Sequence, residues 1–430
     1  MKHFYRLFGV ILVVGLMSAC GVKEDLGNSY VEGKDHQYMW DSVESYGQRI
    51  AEGENGHFFR QGSYIYYLAE GAEMLVPLCN KVDCMHNKEV DAKNYDACNA
   101  YIGDVGVFDG ISYYDGNLYV LKTEYDDGAF QRLYRIKEDG SGKEKVYEWS
   151  NMIVEEWCLH RGDFFYTEHS FYEDEATKEV KENFCVKKIS VDNSAETPKT
   201  VYEAPQDVSV YILSHLNAYG NYLYFYVVGS TGTLEQSTDA GAWLDYHYEK
   251  QMVVNLLTDD VAEIAVSDTE TYIGIQTVTF WQDKLVYQTY NHMDELGLSA
   301  KTDIYISELD GSDAKVLLED VLQGSRILTD EKYIYLTNTA FVIRGEEEKQ
   351  IYQVYNTQMQ LVDTIEMIYT TPSDRAIGDA SGFYFFMEVN EDDVDLLFFD
   401  KSTIGSYQGK AFSYTKIADW KYANADIDES

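Results

Sequence analysis

Three cysteines and a histidine fall within twenty residues: Cys79, Cys84 and His86 in Pro77-Leu78-Cys79-Asn80-Lys81-Val82-Asp83-Cys84-Met85-His86-Asn87, then Cys98 in Cys98-Asn99-Ala100-Tyr101. Thiolate sulfur and imidazole nitrogen are the donors of tetrahedral zinc, and the four residues between the first two cysteines are a wide but allowed spacing. The same residues have a second chemistry. In an oxidising compartment two of the three thiols would join and tie the loop, leaving one over. The sequence reading prefers this disulfide clasp, with zinc and reduced buried thiols as the alternatives. Cys158 and Cys185 fall in one later repeat unit, where they could face each other or pack as small hydrophobes.

Other groups are less specific. Trp243, Tyr246 and Tyr248 follow a Gly-, Ser- and Thr-rich run, offering flat apolar surfaces on which a glycan or peptide ligand could stack, or rings that fold back on the next strand. His292 with Asp294 or Glu295 could supply ligands or a base, although a polar hairpin connection explains them as well. No Gly-x-Ser-x-Gly elbow, His-Glu-x-x-His pair or phosphate-binding glycine loop occurs. With 74 acidic residues a carboxylate pair cannot be singled out, so catalytic residues are unassigned. Calcium is a possible ligand of so much acid, but no EF-hand spacing occurs.

The elements that must position these groups are repeated. Gly62-Ser63-Tyr64-Ile65-Tyr66-Tyr67-Leu68 returns in altered form around Tyr119, Phe165, Tyr224, Tyr287, Tyr335 and Phe385, at intervals of 46 to 63 residues. A polar turn opening an aromatic, β-branched run signals a strand, and several strands per unit of this length fit a propeller blade. Strands running into Asp139-Gly140 and Asp310-Gly311 add hairpin signals. The expectation is an all-β, seven-bladed β-propeller over residues 56–418, with six or eight blades left open by an irregular first unit. Two stacked β domains are the alternative.

The chain opens with a basic head, Met1 to Arg6, and an apolar run, Leu7 to Met17, too short to span a bilayer. Leu16-Met17-Ser18-Ala19-Cys20-Gly21 resembles a bacterial lipobox, with Met17 in place of the usual Leu. That resemblance implies a lipoprotein signal peptide over 1–19, lipidation (palmitate among the acyl chains) at Cys20 and a lipid anchor in the membrane. Residues 20–55 then read as a polar tether and 419–430 as a polar tail. The net charge is −40, and removing 1–19 takes away Lys2 and Arg6 and no acid. Nucleic acid is therefore excluded as a partner.

The lipobox, the Tyr-rich strands and the Leu78-Cys79-Asn80-Lys81, Cys84-Met85-His86 and Cys98-Asn99-Ala100-Tyr101 phrases together resemble propeller-type lipoproteins of Gram-positive gut anaerobes. The blade pattern alone is more weakly similar to the TolB-type propeller. The first resemblance implies display on the extracytoplasmic face of the bacterial cell membrane, and it carries no activity. The expected function is a cell-surface binding or scaffolding module for a glycan, peptide or envelope protein, more a binder than an enzyme. An extracellular carbohydrate-active enzyme, lyase or glycoside hydrolase, is one alternative. A metal or redox module centred on Cys79, Cys84, His86 and Cys98 is another.

Overall fold

The computed structural model describes residues 25–37, 48–104, 106, 108–124, 130–150, 152, 154–173, 178, 180–193, 197–232, 243–264, 273–291, 301–337, 350–367, 377–378, 381–388 and 393–421. They form seven antiparallel sheets, each with four strands in chain order, and the sixth with one additional strand. The blades span 50–77, 110–150, 157–203, 209–263, 273–322, 327–367 and 377–421. The protein is a seven-bladed β-propeller, as its repeats imply.

Tight turns set the geometry. Between the first and second strands of blades 2 and 3 stand Asp115-Gly116 (φ 48 and 77) and Arg161-Gly162 (φ 50 and 79). Two-residue loops with positive φ at both positions match the right-handed twist of a hairpin. The first strands touch the first strands of adjacent blades, for instance Ile50–Gly53 against Gly110–Tyr114 and Ile377–Gly378 against Ile50–Gly53. The last of these contacts closes the ring.

Each blade buries its faces on its neighbours. Tyr119 and Leu121 of blade 2 pack with Phe164 and Tyr166 of blade 3. Phe165 and Val186 of blade 3 pack with Leu223 and Phe225 of blade 4. Each such side chain contributes about 1.5–3 kcal/mol when fully buried. Ring closure uses the same means: Ile50, Phe59 and Leu68 join Phe385, Phe386, Val394 and Leu396 in one cluster. The Arg49 guanidinium lies 3.9 Å from the Phe386 ring centroid, and His57 sits 4.6 Å from Tyr384.

Several sequence expectations shift. The aromatics at 119, 165, 224, 287, 335 and 385 are buried in second strands, but Tyr66 is half-buried in the third strand of blade 1, Tyr64–Ala69. Phe58, two residues into Gly56–Gln61, holds the position that Tyr119 holds in Asn117–Glu124. The Glu54-Asn55-Gly56 turn before it is a weaker match to the repeat, so the stronger phrase one strand later stood in for it. The propeller also begins inside the stretch read as tether: Ile50–Gly53 is its first strand, and Asp35, His36 and Gln37 are buried. At the other end Thr415–Lys421 is the last strand, so residues 419–421 belong to blade 7. Cys158 lies opposite Phe165, and Cys185 opposite Glu168, on the strand between them. Phe165 and Glu168 point to opposite faces of that strand, so the two cysteines do not face each other.

Blade 6 gains its extra strand from blade 7, where Lys410–Ala411 runs parallel to Leu361–Met367. Asp363 fixes this crossover. Its carboxylate accepts from the N–H of Gly405 (2.6 Å), Tyr407 (3.1 Å), Gln408 (2.8 Å) and Thr364 (2.8 Å). Burial alone would raise its pKa, but these four donors hold it below the ordinary value. Stability from such a group is present above its unfolded pKa of about 3.9 and is lost as pH falls through the lower folded value. Asp363→Ala is expected to cost about 1–3 kcal/mol at neutral pH, since it strands the buried Tyr407 N–H and three part-buried donors. Melting curves from pH 6 to pH 2 check the sign: the gap between wild type and variant should narrow only in the acid range.

Candidate metal centre

The connection from blade 1 to blade 2 carries the cysteines, and its course is set by hydrogen bonds to both blades. Leaving Val76–Pro77, the chain keeps to the blade 1 edge through Leu78 N–H to Ile65 O, 2.9 Å. It returns to that edge at Tyr101, which bridges Tyr64, with Ile65 N–H to Ala100 O at 2.9 Å. Between these points Asn87 caps the short helix Lys88–Asp91, accepting from Glu89 N–H (3.0 Å) and Val90 N–H (3.3 Å). The Tyr64 hydroxyl donates to Asp91 Oδ2 at 2.7 Å.

Blade 2 clamps the loop from the other side. Lys143 donates through Nζ to the carbonyls of Tyr95 (2.6 Å), Cys98 (2.9 Å) and Tyr101 (3.0 Å). Burial lowers its pKa to about 8, against the opposing pull of Asp96. Asn99 Nδ2 donates to Gly140 O at 2.7 Å. Gly140, at φ 75 in the turn after Phe130–Lys137, lies so close that a Cβ there would meet Cys79 N at 2.9 Å. Sequence reading took Asp139-Gly140 only as a hairpin signal; its second role needs the contact across blades.

These supports bring the four residues together. One ligand atom from each of Cys79, Cys84, His86 and Cys98 lies within 4.8 Å of the others. His86 takes a left-handed backbone (φ 49), and its Nε2 is buried with no hydrogen-bond partner. For Cys79, burial would raise the pKa, but the N–H groups of Lys81 and Asn99, with His86 and Cys84, bring it down to about 6. Asn99 N–H reaches Cys79 Sγ at 3.4 Å. Burial, with Cys84 and Cys79 adding to it, pushes the Cys98 thiol up to about 12.

The disulfide preferred from sequence gives way here. Cys79, Cys84 and Cys98 carry no disulfide. A single disulfide would also leave one thiol and the buried His86 Nε2 unused, whereas a four-coordinate ion uses all four donors. A tetrahedron with bonds of about 2.3 Å has edges of about 3.8 Å, so the ligands need to draw in by about an ångström or less. Three sulfurs and an imidazole suit zinc, while calcium takes oxygen. The set could hold a metal such as zinc, and four protein ligands would close its coordination sphere in the manner of a structural site.

The other sequence candidates are placed differently. Tyr248 is half-buried against the core shared by blades 3 and 4. Tyr246 is half-buried, with its ring where a Cβ on Gly232 would lie 2.6 Å away. Trp243 begins the short helix Trp243–Tyr246, and its side chain lies outside the described residues, as do Cys20, His292, Asp294 and Glu295. Among the described residues no helix is long and apolar enough to cross a membrane.

No family model and no curated protein matches the chain. Solved structures share its ring. Tricorn protease aligns with a TM-score of 0.51 at 9% identity, over 90% of this chain and 36% of that one, so the chain spans about a third of its length. A puromycin-hydrolysing peptidase of Mycobacterium tuberculosis gives 0.48 at 9% identity, over 91% and 56%. The β-propeller domain of the Trilobed protease from Pyrococcus furiosus, described as having an open velcro topology, gives 0.40 at 12% identity, over 67% and 78%. Likeness at these identities is one of fold.

His86→Ala and Cys98→Ser each remove a ligand, and both are expected to weaken zinc by more than the roughly 10- to 100-fold typical of outer-shell losses. Competition with a chromogenic chelator checks this, alongside one equivalent of zinc by atomic emission in the wild type. Gly140→Ala is expected to lower stability by more than about 1 kcal/mol, since it adds strain at positive φ to a backbone clash at Cys79.

Proposed function

We propose that this chain is a lipid-anchored scaffold on the extracytoplasmic face of the cell membrane, and that its metal-fixed loop binds another envelope protein. The observation that carries this reading is a set of four metal-donor side chains inside a loop that exposes three large apolar side chains. Val82, Met85 and Val90 of the loop are 54% to 98% exposed, and Met74 and Val76, just before it in blade 1, are 74% and 46% exposed. Exposed apolar side chains within one short stretch of chain suit a protein partner better than a polar glycan. An ion held by Cys79, Cys84, His86 and Cys98 would pin the backbone beneath them and reduce the entropy lost on binding. Its four protein ligands leave no position for substrate, which favours a structural over a catalytic or redox role. Anchoring rests on the lipobox-like Leu16-Met17-Ser18-Ala19-Cys20-Gly21. The glycan reading has less behind it, because Tyr246 and Tyr248 are half-buried.

Cell fractionation tests the anchor: Cys20→Ala should move the protein from the membrane to the soluble fraction. Val82→Glu with Met85→Glu should leave the fold within about 0.5 kcal/mol, as surface changes do. In whole cells it should reduce crosslinking to the partner by about tenfold or more, equivalent to about 1.4 kcal/mol. Turnover of cell-wall polysaccharide by the wild type, lost in His86→Ala, would replace the scaffold with an enzyme.

A further inference from the structure

Residues 25–37 lie across the turns between the first and second strands of five successive blades. Gln37 Oε1 accepts from Glu52 N–H of blade 1 at 2.7 Å, and Asp115 N–H of blade 2 donates to Gly33 O at 2.8 Å. His36 N–H donates to His160 Nδ1 of blade 3 at 2.9 Å. Asn221 Nδ2 of blade 4 donates to Asp25 Oδ1 at 3.0 Å, and Ser29 Oγ to Asp283 Oδ2 of blade 5 at 2.9 Å. Arg161 is the hub. Its guanidinium donates to both Asp35 oxygens (2.6 and 3.1 Å), to Gly27 O (2.8 Å), to Ser29 O (3.2 Å) and to Asn221 Oδ1 (2.7 Å). Gly220 is required beneath the segment, since a Cβ there would come within 2.5 Å of Asn28 O.

We infer that this segment fixes which face of the propeller meets the lipid bilayer: the face bearing these first turns is membrane-proximal, and the opposite rim is presented outwards. The inference rests on the anchoring at Cys20 proposed above. Only five residue steps separate Cys20 from Asp25, where the chain is already bound to blade 4. Fully extended, they reach at most about 18 Å. The segment cannot swing the ring over, because its hydrogen bonds are spread across five blades. A net charge of −40 gives the body no attraction of its own for an anionic surface, so covalent reach sets the approach.

Two positions report the orientation. Glu331 is exposed in the first turn of blade 6, beyond the segment, and Glu173 is exposed at the far end of Asp163–Glu173. Azidophenylalanine encoded at either place in the full-length lipidated protein takes a donor dye. The protein is reconstituted into phosphatidylglycerol–phosphatidylethanolamine vesicles carrying a headgroup-labelled acceptor. Because Asp163–Glu173 rises about 33 Å along its length, energy transfer from Glu331 is expected to exceed that from Glu173 by about twofold or more. Inserting about twenty Gly and Ser residues after Cys20 should abolish the difference, because the reach then grows past the size of a blade. Arg161→Ala should reduce it, and if that variant fails to fold, the insertion, which touches no described residue, still decides. Equal transfer from both positions in vesicle-bound protein overturns the orientation alone, and a preference that survives the insertion overturns the tether as its cause. Full-length protein that does not partition with vesicles overturns the anchor, and the orientation with it.

Discussion

Every blade has two apolar faces, and neither can be buried within the blade itself. Burial against neighbours is therefore the constraint on which the whole ring depends. Tyr224 illustrates it: its ring lies 5.0 Å from Phe280 of the next blade, and its hydroxyl donates to Leu309 O of that blade at 2.6 Å. Where the ring closes, blade 1 is built wholly from the start of the propeller and blade 7 from its end. Among the described residues no strand of one completes the sheet of the other. Phe59 against Phe386 and Tyr66 against Trp420 carry the seam, as side-chain packing does at every other blade boundary.

Two further ties bind blades together elsewhere in the ring. The segment 25–37 joins the first turns of blades 1 to 5, and the strand Lys410–Ala411 joins blade 7 to blade 6. Each tie turns on one charged side chain with several partners, Arg161 in the first and Asp363 in the second. Charged hydrogen-bonding groups of this kind are well suited to fixing one backbone arrangement, because breaking one partner strands the rest.

The loop that carries the candidate metal centre is a third tie, hydrogen-bonded to both blade 1 and blade 2. Cys79, Cys84 and His86 are near one another in sequence, but Cys98 comes back to them on a return path held by Lys143 and Gly140 of blade 2 and by the blade 1 edge at Ile65. The buried Nε2 of His86 and the Asn99 N–H directed at Cys79 Sγ fit a set that could hold a metal such as zinc.

Period and turn chemistry are local properties, and they determined the all-β class, the blade pattern and the hairpins at Asp139-Gly140 and Asp310-Gly311. Seven copies of one phrase were legible because each blade solves the same burial problem with the same aromatic run. The first copy was misplaced by one strand because Phe58 follows a weaker turn than Tyr66 does. The sequence also marked Cys79, Cys84, His86 and Cys98 as reactive neighbours, without deciding between a bond among them and an ion. Only the tertiary structure decided the gathering of one ligand atom from each of the four within 4.8 Å of the others, the separation of Cys158 from Cys185 onto opposite faces, and the docking of residues 25–37. Arg161 and Asp35 stand 126 residues apart, and no local pattern in either stretch encodes the other. Their meeting is fixed by the ring, whose closure places the first turn of blade 3 beneath a segment that composition alone describes as a solvated tether.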